Sequence, residues 1–306
     1  MNNKPLVSIV INCHNCKSFL KPSLDSIISQ TYVNWEVIFI DNQSTDSSTQ
    51  IVKSYKEKRF KIYYTKEKKI LGDARNLGLR YSRGKYISFL DADDIWDKDK
   101  LKNQVDDLSN SNYIVSYTSY NIINQHNKKV KEINLKYKNK IRSNDLLLNY
   151  DIILSSVMII REVIEKNKVR FSNKYEVCED IDFFLKLSLH GFFKKNYSLL
   201  TSYRVHSNNI SRNNMSNFYY ENKNMIENFI RISKIDINDY SLNFFKGKIY
   251  YYKIKYLKKD NIFKFSDALG LVKYFKVNKV FILIFLLSIM PKFFWNFYHK
   301  LNYKFY

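Results

Sequence analysis

The feature that most constrains this chain is an alternation, over its first hundred residues, of short apolar runs with stretches of helical period. Residues 6–11 (LVSIVI), 36–40 (EVIFI) and 86–90 (YISFL) read as strands, with a further strand at 61–64. Between them, residues 18–30 carry Phe19, Leu20, Leu24, Ile27 and Ile28 at helical spacing, and residues 74–81 read as a second helix that stops near Gly84. Asp46 is placed to N-cap the helix that follows it. Strands separated by helices imply a parallel sheet of βαβ units. In such sheets ligands lie beyond the carboxyl ends of the strands. Polar stretches follow the strands at 12–15, 41–46 and 91–94, so three loops are expected to converge on one edge.

From about 100 to 215 the pattern is mixed α/β, with strands at 157–161 and 199–205 and an apolar helix at 181–189. After about 216 it becomes helical, aromatic and basic. A catalytic domain over 1–215 and a helical region over 216–306 are therefore expected. With 45% hydrophobic residues in 306, a sizeable core is available and extensive disorder is excluded. The net charge of +22 suits nucleic acid, an anionic membrane face or a phosphorylated substrate, although a coding bias towards Lys and Asn has the same effect. No nucleic-acid motif is present and the acidic loops oppose one, so nucleic acid is not an expected partner. Three cysteines make no disulfide framework, and residues 6–11 are too short for a signal core. A cytoplasmic location is the expectation. The longest apolar run, 280–290, ends at Pro291 and is about half the ~20 residues of a spanning helix.

Three clusters carry chemistry. In an extended segment, Asp91 and Asp93 of the 91–94 stretch (DADD) would face the same way. Three close carboxylates call for a cation, and magnesium or manganese is the natural one. The competing reading is a solvated turn that caps the next helix. Glu179 and Asp180 precede the apolar helix, where an anion is stabilised and a general base is well placed; ordinary capping competes with that. Arg204 and His206, at the end of a strand, could reach a diphosphate, or His206 could be structural. Cys13 and Cys16 fit a C-x-x-C template, but a zinc site would need a second pair, and they read as loop residues.

Taken in order, the segments 7–15 (VSIVINCHN), 40–46 (IDNQSTD), 72–78 (GDARNLG), 84–94 (GKYISFLDADD), 179–180 and 203–211 (YRVHSNNIS) resemble glycosyltransferase family 2. These are inverting enzymes, many in bacterial polysaccharide and lipopolysaccharide synthesis. The resemblance implies a GT-A fold, a Rossmann-like, mainly parallel mixed sheet flanked by helices, here with a helical C-terminal extension. It implies a nucleotide site drawn from Asn12, Asn15, Asp41, Arg75 and Asp91. It implies a manganese or magnesium site at Asp93, Asp91 and His206, and Asp180 as catalytic base beside Glu179. Asn42, Gln43, Cys13 and His14 depart from the family's usual residues, which bears on the nucleotide pocket rather than on the metal or base. The implied reaction moves a sugar from a nucleotide-diphosphate donor, a UDP-sugar, to a hydroxyl of a glycan or lipid-linked acceptor in cell-surface polysaccharide synthesis. A polyprenyl phosphate acceptor is the alternative. A non-catalytic nucleotide-sugar binding protein is opposed by the intact Asp91, Asp93 and Asp180. The segment 273–306 combines lysines with Trp295, phenylalanines and the 280–290 run, the composition of an interfacial helix. Peripheral attachment to the cytoplasmic face of the inner membrane is the expectation, weighed against a helix packed on the protein.

Overall fold

The computed structural model describes residues 4–109, 111–135, 140–207, 209, 215–233, 239–291 and 295. The chain divides into two compact units: 1–142 with 152–207, and 143–151 with 208–306. The first unit thus ends short of the boundary expected at 215, and a segment from the middle of the chain joins the second.

The first unit is built on one mixed sheet. Its parallel half contains β1 (Val7–Cys13), β2 (Trp35–Asp41), β3 (Phe60–Tyr64) and β4 (Tyr86–Phe89), in the order β3-β2-β1-β4. Every residue of β2 and all of β1 but Asn12 are buried, which is why these strands are mostly apolar; the buried Ser8 hydroxyl donates to Glu36 across the pair (2.7 Å). Between the strands lie α1 (Lys17–Ile28), α2 (Ser48–Ser54) and α3 (Leu71–Tyr81). Helix α3 starts earlier than expected, at Leu71 rather than 74, and ends at Tyr81 as expected, with Ser82 as its C-cap. It lies tight against β1 because Gly78 has no side chain: a Cβ there would run into Val10. Gly84 is confined in the same way, its would-be Cβ 2.6 Å from the Leu6 carbonyl oxygen. Asp46 accepts the N–H groups of Ser48 (2.9 Å) and Lys17 (3.0 Å), so one carboxylate serves the first turns of α2 and α1. The N-cap position of α2 itself falls to Ser47.

The rest of the first unit comprises β5 (Ile95–Trp96), α4 (Lys100–Leu108), β6 (Tyr113–Asn124), β7 (Lys129–Ile133), β8 (Lys140–Ile141), β9 (Val157–Ile160), α5 (Arg161–Lys166), α6 (Glu179–Leu187) and β10 (Phe192–Val205). The sheet continues from β4 through β9, β6 and β10 to β5. Strand β9 is antiparallel to both β4 and β6, and β10 is parallel to β6. Two reversals cancel, so β6 and β10 run in the same direction as β4. The carboxyl ends of β1, β2, β4 and β10 therefore share one edge. Two of these elements exceed their sequence signal. Strand β6 was not evident as a strand, and β10 begins well before the expected 199.

The second unit contains α7 (Ser143–Leu148), α8 (Met215–Ile232), α9 (Asp239–Lys259), α10 (Phe265–Leu269) and α11 (Val280–Ile289). Tyr251, Ile254, Leu271, Tyr274, Phe281, Ile284 and Trp295 make a small core within it. Gly247 lets the Phe281 ring lie against α9. Among the described residues no helix is long and apolar enough to cross a membrane. Lys292, Phe293, Phe294, Phe297, Tyr298, Lys300 and Lys304, part of the expected interfacial segment, lie outside the described residues.

Candidate active site

The 91–94 segment is not extended. The Asp94 N–H donates to the Asp91 carbonyl (3.0 Å), closing a turn, so alternation does not put Asp91 and Asp93 side by side. Each carboxylate instead has its own partner. Asp91 Oδ1 takes a hydrogen bond from Arg75 Nη2 (3.2 Å), while Asp93 Oδ2 lies 2.9 Å from His206 Nε2. His206 leaves the end of β10 at the shared edge, and its ring packs on Phe19 with centroids 4.9 Å apart. Residues 208, 210 and 211 of that terminal motif lie outside the described residues.

The turn is braced from four parts of the chain. Ser23 Oγ of α1 donates to the carbonyls of Asp94 (2.6 Å) and Ala92 (2.9 Å). Ser155 Oγ accepts the Asp91 N–H (3.0 Å), and Trp96 Nε1 donates to the Ser155 carbonyl (2.7 Å). Arg204 is fully buried: its N–H reaches Asp94 Oδ1 (2.8 Å) and its Nε the Asp93 carbonyl (2.6 Å). That corrects the expectation that Arg204 faces a diphosphate; it is committed to holding the turn. Arg75 supplies the fourth brace through Asp91.

Arg75 is itself buried and bridges two carboxylates, Asp91 and Glu179. Burial works against its charge, but Glu179, Asp91 and Asp180 outweigh it and raise its pKa. Glu179 and Asp180 lie within the first turn of α6 rather than before it. Glu179 points inward with 4% exposure, and among the described residues its Oε2 has no hydrogen-bond partner. Burial pushes its carboxyl up to about 7, against the pull of Arg75, and Asp180 adds to the rise. Asp180 is half-buried, and its Oδ1 accepts the Ile181 N–H (2.7 Å). Of the two, Asp180 is the more exposed.

The nucleotide candidates take three different situations. The Asn12 amide, oriented to satisfy both neighbours, donates to the Ala74 carbonyl (3.3 Å) and accepts from the Arg75 N–H (3.2 Å), fixing α3 against β1. Asn15 adopts a left-handed conformation (φ 58°), and its Oδ1 accepts the Thr45 N–H (2.8 Å). Asp41 is 5% exposed, and its oxygens accept from the Ser44 N–H (3.0 Å) and Thr49 Oγ1 (3.1 Å). Asn15 and Asp41 thereby shape the 42–46 turn. Asn42 continues the frame: its amide holds both the N–H and the carbonyl of Lys69 at 2.8 Å. Cys13 is buried with Sγ 3.8 Å from Ser44 Oγ, and the neighbouring Cys16 thiol lowers its pKa.

Asp93, a hard oxygen donor, and His206, a borderline nitrogen donor, form a pair facing the edge. Burial raises the Asp93 carboxyl, the Asp91 charge raises it further, and His206 opposes both. A cation would relieve that cost. Among the described residues no third His, Cys, Asp or Glu completes a protein-only metal cage. The donor set therefore fits a magnesium- or manganese-like ion that takes its remaining ligands from phosphate oxygens and water. Ser23, Ser155 and the inward role of Glu179 were missed in the sequence, where isolated serines carry no signal and adjacent acids look alike.

The model of Glycosyl transferase family 2 matches residues 8–167. Over 215 residues the chain is 30% identical to the putative teichuronic acid biosynthesis glycosyltransferase TuaG of Bacillus subtilis, covering 69% of this chain and 84% of that protein. Over 210 residues it is 33% identical to the UDP-Glc:alpha-D-GlcNAc-diphosphoundecaprenol beta-1,3-glucosyltransferase WfaP of Escherichia coli, covering 68% and 80%. Among solved structures, Staphylococcus aureus TarS 1–349 in complex with UDP-GlcNAc aligns with a TM-score of 0.71 at 15% identity, covering 97% of this chain and 93% of that one. The mannosyltransferase PcManGT of Pyrobaculum calidifontis, with GDP-Man and Mn2+, aligns at 0.60 and 15% identity, covering 99% and 89%. The ordered motifs, the sheet order and these matches agree: the chain belongs to glycosyl transferase family 2, as a bacterial-type glycosyltransferase with the GT-A fold.

Proposed function

We propose that this glycosyltransferase moves a sugar from a UDP-sugar to a hydroxyl of a lipid-diphosphate-linked glycan, with inversion and with a divalent cation, in cell-surface polysaccharide synthesis. The observation that carries the reading is the meeting of Asp91, the Asp93–His206 pair and the Arg75–Glu179 bridge beside Asp180 at one sheet edge. The names of the Escherichia coli and Bacillus subtilis relatives support the donor, the carrier and the pathway class.

In this reading the donor's nucleotide lies over the edge framed by Asn12, Asn15 and Asp41, with Arg75 and Asp91 beneath it. Asn12 and Asn15 set the shape of the frame, and the Asp41 oxygens keep lone pairs for a base N–H. Asp93 and His206 would hold manganese or magnesium, which supplies charge neutralisation for the departing diphosphate. Asp180, stabilised as an anion by the α6 N-terminus, takes the proton of the acceptor hydroxyl. The acceptor oxygen bonds to the anomeric carbon from the face opposite the diphosphate. The bond from that carbon to the phosphate oxygen breaks, and its electron pair leaves with the nucleoside diphosphate. One displacement inverts the anomeric configuration. Glu179 fixes Arg75 and so keeps Asp180 and Asp91 in register.

The test is turnover by the purified chain across a panel of nucleotide sugars, with a short-chain lipid-diphosphate sugar as acceptor, with and without chelator. Expected is chelator-sensitive transfer from a UDP-sugar, and an inverted anomer by NMR. Retention of configuration, or full activity in chelator, overturns the mechanism; transfer from no nucleotide sugar overturns the donor assignment.

A further inference from the structure

Helix α11 is apolar on every side: its sequence is VFILIFLLSI. A helix of that kind is covered all round, by protein or by lipid. Here the cover is one-sided. Phe281, Ile284 and Ser288 are buried in the core of the second unit, whereas Ile282, Leu283, Leu286 and Ile289 are exposed, as is Met290 at the C-cap. With successive residues about 100° apart, the exposed side chains fill one continuous arc of roughly 120°. Phe265, Leu269 and Val272 add exposed apolar surface just before the helix.

The charge in this stretch has one sign. Lys264, Lys273, Lys276 and Lys279 are exposed. The one carboxylate in residues 264–291 is Asp267, and it is taken by Lys253 (2.9 Å) and by the Lys264 N–H (2.9 Å). An apolar stripe with a lysine rim matches an anionic bilayer, where apolar side chains enter the interface and lysines meet lipid phosphates. A second copy of this chain fits poorly, because a two-fold contact through this face would bring two sets of lysines together with no free carboxylate between them. At ten residues the helix is too short to span, so it would lie in the surface plane.

We infer that the outward face of α11, with Lys264, Lys273, Lys276 and Lys279, docks this protein on the surface of an anionic phospholipid bilayer. The inference rests on the proposed lipid-linked acceptor for its purpose and on exposure and charge for its geometry.

The experiment is flotation of the full-length protein with vesicles of phosphatidylcholine alone or mixed with phosphatidylglycerol. Two variants accompany it, both at exposed positions: Leu283→Ser with Leu286→Ser, and Lys273→Gln with Lys276→Gln and Lys279→Gln. Circular dichroism confirms that each is folded. The wild type should float with the anionic vesicles and not with the neutral ones. The leucine variant should stay in the soluble fraction, and the lysine variant should lose partitioning by about fivefold per lysine. Turnover on a water-soluble short-chain acceptor should be unchanged in both variants, and turnover on a long-chain acceptor embedded in vesicles should fall. Docking is overturned if the wild type does not float, if the leucine variant floats equally well, or if the stripe instead makes a concentration-dependent dimer without vesicle binding. Flotation as expected without turnover on the soluble acceptor upholds docking and overturns the acceptor reading.

Discussion

Replacing Glu179 by Gln should leave stability little changed below pH 4.5 and change how stability depends on pH above it. Glu179 is 4% exposed, and its carboxyl is raised from the ordinary 4.5 to about 7, chiefly by burial, with Arg75 opposing and Asp180 reinforcing. Below pH 4.5 the group is protonated in both the folded and the unfolded chain and does not tilt the balance. As pH rises from 4.5 to about 7 the unfolded chain ionises while the folded one still holds its proton, so folding loses about 1.4 kcal/mol per pH unit. Across that span the loss is about 3 kcal/mol, and above it the cost stays constant. Gln has no proton to lose, and its amide oxygen can still accept from Arg75, which keeps Asp91 as its charged partner. The other raised carboxyls, Asp93, Asp94 and Asp182, are common to both proteins and cancel in the comparison. Thermal melts of wild type and variant at intervals from pH 4.5 to 8 should therefore diverge, with the variant gaining roughly 6–12 °C in Tm relative to wild type across the window, taking ~2–4 °C per kcal/mol for a domain of this size. Curves that run parallel over that range would show that Glu179 is ionised in the folded protein and refute the burial argument.

Other outcomes follow from the same geometry. Asp180→Asn should lower kcat by about 10²–10⁴-fold with donor affinity kept, since the group acts on the acceptor proton in the transition state; an active Asp180→Asn beside an inactive Glu179→Gln would move the base by one residue. Asp93→Ala should abolish metal-dependent turnover and weaken nucleoside-diphosphate binding in manganese, read by calorimetry, and near-normal turnover would remove Asp93 from the metal site. Gly78→Ala should destabilise by roughly 1–3 kcal/mol in urea unfolding, because the new methyl meets Val10 of β1; an unchanged midpoint would mean that α3 can shift outward freely.

The parallel half of the fold was legible because β1, β2 and β4 are covered on both faces and therefore mostly apolar, with Ser8, Glu36 and Ser88 among the polar residues inside them. Strand β6 was not, for an opposite chemical reason. Its buried positions include Ser116, Thr118 and Ser119, whose hydroxyls are satisfied by Asp107, Thr201 and the Leu135 N–H, so the core there looks polar in sequence. The start of β10 was hidden likewise by Lys194 and Lys195, the second of which is buried. At the site, residue types and order pointed to Asp91, Asp93, Arg75, Asp180 and His206, but not to who meets whom. The turn at 91–94 sends Asp91 to Arg75 and Asp93 to His206, and that depends on a hydrogen bond no spacing rule supplies. Equally, nothing in the pair Glu179–Asp180 says which acid is swallowed by the fold.

The bracing of the 91–94 turn has a consequence for the order in which the protein becomes competent. Ser23, Asp91, Ser155 and Arg204 are far apart along the chain, so the turn's final shape rests on contacts of long sequence separation, which form late because loop closure must come first. A ribosome-bound chain that has emerged only as far as residue 167, where the family match ends, contains the parallel strands and all of Asp91–Asp94 but lacks Asp180, Arg204 and His206. Such a chain holds the turn and three of its braces, Ser23, Arg75 and Ser155, but lacks the fourth, Arg204, and the groups that complete the site. Donor capture should therefore switch on abruptly, after β10 closes against β6, rather than grow as the sheet is laid down.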